Sequence, residues 1–305
     1  MRDFNESERC VLMLCAMPSV CRAITGVQIA RIEKDLGVSE KELTVQCLQK
    51  RLHGNNAVSA AVLQRINEAD SLDFWLLTLE NYGITVIPRN NISYPARLRN
   101  RLGNSAPPVL FCAGNTALLL KRSISLVGAR NLSNSGYDFA VEAGLQIVKQ
   151  GYVYCSGGAR GADSVGFEQA IRHGDAVLFL PDSLKAAVRS QKYADALKSG
   201  HLLLVTEQGI DLNFNAARAL SRNRLIHAVS DIVLVAESRP YTGGTWSGTT
   251  ENLKHGWSEV FVYQDDSAES LNAGARALIE RGAEPITIRH LSDISSLTIQ
   301  QFFDC

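Results

Sequence analysis

The chain has no net charge: 31 Lys and Arg residues balance 31 Asp and Glu. Bulk electrostatics therefore does not announce a nucleic-acid or membrane partner, and a polyanion site has to be a local basic patch on a balanced surface. No apolar run approaches the ~20 residues that a membrane span needs. The start, Met1-Arg2-Asp3-Phe4-Asn5-Glu6, is polar and acidic and lacks the form of a secretory signal. None of the seven cysteines forms a C-x-x-C pair; the closest set is Cys10, Cys15 and Cys21. Reduced, mostly buried thiols in a cytoplasmic protein are expected, not a disulfide framework or zinc ribbon. No H-E-x-x-H or carboxylate–histidine cluster suggests a metal, and His173, His201, His227 and His255 read as structural or surface residues. There is no G-K-[ST] phosphate loop, and the first glycine turn, Gly128-Ala129-Arg130-Asn131-Leu132-Ser133, is not G-x-G-x-x-G. No acidic residue ends the second strand to hold a ribose hydroxyl, so a Walker-type NTPase and a dinucleotide oxidoreductase are both disfavoured.

What is present suits a large soluble fold. A hydrophobic share of 46% against 20% charged residues supplies a sizeable core for 305 residues, one large domain or two ordinary ones. Residues 1–85 read as a helical domain. Helices are expected around Val11–Cys15, over Thr25–Leu36, from a Ser39 cap to Leu52, over Ser59–Ala69 and over Asp73–Tyr82, with Gly37 and Gly83 as stops. Residues 86–305 form the second domain. After a connective stretch with a short strand at 109–112, apolar strands at 124–127, 152–155, 176–180, 202–205, 231–236, 260–263 and 286–288 alternate with helices. Those helices are expected at 134–149, 161–172, 190–198, 213–228, 246–255, 268–281 and 291–303. Continuous apolar strands alternating with helices predict an α/β fold, an extended Rossmann-like and mostly parallel sheet with helices on both faces. Such sheets bind ligands outside the carboxyl ends of their strands.

Three strand ends carry turns suited to an anion. Ser156-Gly157-Gly158-Ala159-Arg160-Gly161-Ala162-Asp163 follows one strand and opens a helix; its glycines let the backbone approach a phosphate, and Arg160 adds charge. Gly128-Ala129-Arg130 follows another, and Thr242-Gly243-Gly244-Thr245 lies beyond a third that is followed by Glu237. On the helix Ala216–Ile226, Arg218 and Arg222 share a face, Arg224 points elsewhere, and Ala219, Leu220 and Ile226 are candidates for the buried side. Pooled in one crevice, Gly128, Arg130, Ser156, Gly157, Gly158, Arg160, Gly161, Asp163, Arg222, Asn223, Arg224, Gly243, Gly244 and Thr245 suit phosphates or a polynucleotide backbone. Tyr241 or Trp246 is placed to stack on a base.

From Leu76 to Ile294 the chain resembles the DNA-processing protein A (DprA/Smf) family. The resemblance rests on Tyr94-Pro95-Ala96-Arg97-Leu98, Pro107-Pro108-Val109-Leu110-Phe111, Gly114-Asn115, and Val127-Gly128-Ala129-Arg130 where the family has V-G-S-R. It continues with Ser156–Asp163, similar to S-G-x-A-x-G-x-D, and Ser221-Arg222-Asn223-Arg224-Leu225-Ile226, similar to R-R-N-R-I-I. Near the end come Asn272-Ala273-Gly274 and Leu278–Ala283. The resemblance implies a Rossmann-like domain behind a small helical one, with no catalytic reaction and no cofactor. It also implies single-stranded DNA binding, association with a RecA-type recombinase during natural transformation, and a homodimer. It places Arg130, Ser156, Gly157, Arg160 and Gly161 in the DNA pocket, with Arg222, Asn223 and Arg224 lining or supporting it. Departures are Gly243-Gly244-Thr245-Trp246-Ser247-Gly248 for S-G-S-L-I-T, Gln264-Asp265-Asp266 for a proline–glycine turn, and no expected C-terminal winged helix.

An alternative is a nucleotide sensor or a nucleoside-monophosphate phosphoribohydrolase of the LOG type. Gly243–Glu251 loosely resembles P-G-G-x-G-T-x-x-E, with the spacing interrupted and the preceding proline, Pro240, three positions before Gly243; Glu251 would then be the acid/base.

Overall fold

In the computed structural model, residues 3–52, 56–265 and 272–298 are described. Five helices come first: α1 (Glu6–Cys15), α2 (Gly26–Leu36), α3 (Val45–Arg51), α4 (Ala57–Asn67) and α5 (Leu72–Asn81). Then follow β1 (Thr85–Pro88), α6 (Ala96–Leu102), β2 (Val109–Gly114), β3 (Ser123–Val127), α7 (Asn134–Lys149), β4 (Val153–Ser156), α8 (Ala162–His173) and β5 (Ala176–Phe179). The remainder is α9 (Leu184–Val188), α10 (Gln191–Lys198), β6 (Leu202–Thr206), α11 (Ala216–Val229), β7 (Ile232–Val235), α12 (Gly243–His255), β8 (Glu259–Tyr263), α13 (Ala273–Ile279) and β9 (Glu284–Ile286). The strands form one sheet in the order β1-β2-β6-β5-β4-β3-β7-β8-β9. β1 pairs antiparallel with β2 and β2 antiparallel with β6; all the other pairs are parallel.

The apolar strands are buried on both faces, as a parallel sheet between helix layers requires. Alternate residues feed two cores. Ile124, Leu126, Tyr154, Leu178, Ile232 and Leu234 pack on the side of α7 and α8. Val127, Val153, Cys155, Val177, Val233 and Val235 pack with Leu225, Ile226, Trp246 and Leu278 from α11, α12 and α13. The α7–α8 crossing is close because Gly144 leaves no Cβ against the Gly166 backbone. The buried side chains of α1–α5, among them Leu12, Leu14, Ile29, Leu48, Val62 and Leu79, join the first core.

Chain direction reverses about β3. From it the strands β4, β5 and β6 step one way; β7, β8 and β9 step the other. Adjacent β3 and β7 therefore send their following loops to opposite sides and leave a crevice at their carboxyl ends.

Several expected boundaries shift. Ser39 caps no long helix: its N–H and Oγ donate to Glu42 in a single turn, and α3 starts later, capped by Thr44. The buried Leu43 between them turns the chain inward. α11 begins at Ala216 under an Asn215 cap, and α12 begins three residues early, so Gly243, Gly244 and Thr245 are its first turn. α9 was not expected. Of the expected helix 268–281, residues 273–279 are helical and 268–271 lie outside the described residues. The expected helix 291–303 is 3-10 turns as far as Thr298, with 299–303 outside the described residues. Among the described residues, no helix is long and apolar enough to cross a membrane.

Candidate nucleic-acid interface

The crevice is a cavity of about 620 Å³. The turn after β3 gives it Gly128, Ala129, Arg130 and Asn131, and the turn after β4 gives Ala159, Arg160 and Asp163. The turn after β7 and the start of α12 give Ser238, Arg239, Thr242, Gly243, Gly244 and Thr245. One face of α11, with Ala219, Arg222, Asn223, Ile226 and His227, forms a wall. These segments meet because β4, β3 and β7 are neighbours and each is followed by a helix whose amino end points back to the switch point. Cross-bonds hold them together: Arg160 Nη2 donates to Asn131 Oδ1 at 2.8 Å, Thr245 Oγ1 to Gly128 O at 2.9 Å, and Asn223 Nδ2 to Gly244 O at 3.1 Å.

The Ser156–Asp163 turn differs from the anion cradle expected of it. Three of its amides are already used. Gly157 and Ala159 N–H donate to the Asp163 carboxylate at 3.2 and 3.3 Å, and Ala162 N–H donates to Ala129 O. Ser156 is fully buried and donates to Leu126 O; Gly157 packs against Arg222. Ser156, Gly157, Gly158 and Gly161 therefore shape the turn and do not line the cavity. Gly158 (φ 65°) and Gly161 (φ 96°) hold the left-handed dihedrals that the turn needs. Burial pushes the Asp163 carboxyl up, opposed by Arg222 and by the amides it accepts from. Burial pulls the Arg222 guanidinium down, opposed by Asp163.

The two arginines of the α11 motif part company. Arg222 is 6% exposed and lines the cavity. Arg224 points away: Nη2 pairs with Glu207 and Nη1 donates to Ser105 O, so it clamps α11 to the β6 and α6 side. Two residues on a helix are 200° apart, which puts these side chains on opposite faces. Leu220, expected on the buried side, is 47% exposed at the mouth, because the cavity occupies the space a core would have filled.

The rim is basic and aromatic. Arg130, Arg160 and Arg239 are exposed, as are Phe214 and Tyr241. Tyr241 precedes the cavity residue Thr242 and sits at φ 62°, a strained conformation for a tyrosine. Trp246 is buried, with Tyr241 5.0 Å away and Arg281 over both rings. Arg239 and Phe214 were not singled out from the sequence. Arg239 stood inside the third turn, two residues past Glu237, and its position was the available signal. Nothing local marked Phe214, which a long loop carries to the mouth. Glu251 lies more than two turns into α12, exposed and outside the cavity lining. His227, at the cavity wall, accepts from Asn252 Nδ2 at 3.2 Å, and burial holds its pKa near 3, so the ring is neutral.

Comparison with known proteins agrees with this architecture. The family model described as DNA recombination-mediator protein A matches residues 85–297. The "DNA processing protein DprA" of Streptococcus pneumoniae is 30% identical over 195 residues, 60% of this chain and 64% of that protein. Its namesake from Bacillus subtilis is 27% identical over 215 residues, 69% of this chain and 71% of that protein. Among solved structures, DNA processing protein A from Streptococcus pneumoniae superposes with a TM-score of 0.65 at 21% identity, covering 88% of this chain and 98% of that one. The Helicobacter pylori protein, whose structure describes a single-stranded DNA binding mode, gives 0.58 at 22% identity over 72% and 96%.

Proposed function

The chain belongs to the DNA recombination-mediator protein A family, and from that premise we propose that it grips single-stranded DNA across the β3–β7 crevice without catalysing a reaction. In this reading it protects the strand and helps load a RecA-type recombinase during DNA uptake, as a cytoplasmic homodimer. The observation that carries the reading is the rim: Arg130, Arg160 and Arg239 stand exposed around a cavity flanked by exposed Phe214 and Tyr241. Arginines neutralise phosphates, and aromatic rings stack bases of any sequence. A duplex keeps its bases inside and offers the rings nothing, so the arrangement favours single strands.

Affinity should fall with salt, with a log–log slope of about −0.7 per phosphate neutralised. The test is a binding titration of single-stranded and duplex DNA at two salt concentrations. Single strands are expected to bind more tightly, and Arg130→Ala with Arg160→Ala to weaken binding and flatten the slope. Unchanged affinity and slope in that double variant would falsify the reading. For the homodimer, sedimentation of a monomer at micromolar concentration is the contrary result.

A further inference from the structure

The loop between β7 and α12 brings Ser238, Arg239 and Thr242 into the cavity lining, with Tyr241 among them in sequence. Helix α13 braces this loop at two points. At its amino end, Gly274 packs so closely on the Ser238 carbonyl that no Cβ fits between them. Past its carboxyl end, the Arg281 guanidinium lies 5.3 Å from the centre of the Tyr241 ring and 5.0 Å from that of Trp246. The two rings are 5.0 Å apart and tilted by 55°. The stretch from Ser238 to Tyr241 is thus fixed at its first residue by a backbone contact and at its last by a cation over two rings.

The parts differ in how firmly they are held. Arg281 Nη1 donates to Ala277 O at 2.8 Å, and Arg281 N–H donates to Leu278 O in the turn that ends α13. Ala277 and Leu278 are buried in the second core, and Trp246 is only 9% exposed. Tyr241 is 70% exposed and sits at φ 62°. A cation over an aromatic face is attracted by the ring quadrupole. Arg281 therefore ties an exposed, strained tyrosine to an anchored tryptophan and an anchored helix. An arginine that only closed α13 would need neither ring.

We propose that Arg281 is a positioning residue for Tyr241, holding its ring at the cavity mouth as a platform on which an unpaired base stacks. The proposal rests on the strand-binding reading and adds to it a residue that acts through the ring and not on a phosphate. A ring already held in its binding orientation loses less freedom when a base arrives, and that saving appears as affinity.

The experiment is a double-mutant cycle on the full chain: wild type, Arg281→Met, Tyr241→Ala and the double variant. Fluorescence anisotropy with a labelled oligothymidylate reads affinity at two salt concentrations. Arg281→Met should weaken single-strand binding about threefold to fivefold, the range of an exposed cation over a ring. Its salt slope should match wild type, because no phosphate contact is lost. In the Tyr241→Ala background the same substitution should cost nothing further, since the ring it acts through is gone. Arg281→Gln, which removes the charge but keeps a planar amide, should behave as Arg281→Met does, and both should keep the thermal midpoint of wild type. Unchanged affinity in Arg281→Met or in Tyr241→Ala overturns the proposal. So does a loss that persists without the tyrosine, or a flatter salt slope; either makes Arg281 a direct contact to the strand and leaves the strand-binding reading standing. Failure of that reading shows differently, as equal affinity of the wild type for single strands and duplex, and it takes the proposal with it.

Discussion

Gly157 and Arg222 touch so closely that no Cβ fits between the Gly157 Cα and the guanidinium. The glycine is needed there for space, while the neighbouring Gly158 is needed for its φ of 65° and has room around it. Gly157→Ala must displace a buried cation and is expected to cost about 1–3 kcal/mol of stability, the usual range for overpacking. Gly158→Asn should cost less, because asparagine visits the left-handed region more readily than other side chains. Urea denaturation of both variants checks the order; a Gly157→Ala protein as stable as wild type would contradict the packing described.

Arg224 and Glu207 make a buried ion pair, with side chains 18% and 7% exposed. Burial pushes the Glu207 carboxyl up, and Arg224 pulls it back down. Removing one partner strands the other charge, so Arg224→Met should destabilise the fold by about 3–5 kcal/mol. Its folded fraction should keep single-strand affinity within about twofold, since this arginine lies off the cavity. Loss of affinity at unchanged stability would return Arg224 to the binding surface.

The alternating strands and helices were legible because both faces of the sheet must be apolar, and runs such as Ile124–Val127 show it directly. The anion bookkeeping at the helix starts was not legible. A glycine-rich turn looks the same in sequence whether its amides serve a ligand or Asp163, and only the fold shows that Asp163 turns back onto Gly157 and Ala159. Arg222 and Arg224 share one motif, but which face of α11 meets the cavity depends on how the helix packs beneath Asn223 and Gly244. Phe214 reaches the mouth through loop conformation, which no local pattern encodes.

Tyr241 is 70% exposed beside the cavity and held at positive φ. Strain of that kind costs about 1–3 kcal/mol and is kept where it serves a purpose. If the ring stacks on a base, Tyr241→Ala should weaken single-strand binding by about 1–3 kcal/mol, and Tyr241→Phe should retain it. Tyr241→Gly should lose the same affinity while relieving the backbone. Fluorescence anisotropy with a labelled oligonucleotide reads all three; equal affinity for Tyr241→Ala and wild type removes the ring from the interface.

His227 makes stability sensitive to acid. Burial holds its folded pKa near 3, against about 6.5 in an unfolded chain. The unfolded state therefore takes up a proton that the folded state refuses. The contribution is fully present above pH ~6.5 and is lost as pH falls from there towards 3, by about 1.4 kcal/mol per unit, or about 2 kcal/mol between pH 8 and 5. Asp163 and Glu207 act in the opposite sense, since their raised carboxyl pKa values let the folded state protonate first on acidification. The histidine is isolated by comparison with His227→Gln, which cannot titrate. Urea midpoints at pH 8 and 5 should fall further for wild type than for the variant, whatever the variant's stability at pH 8, with m-values unchanged. An equal fall in both proteins would mean that His227 already accepts its proton in the folded state.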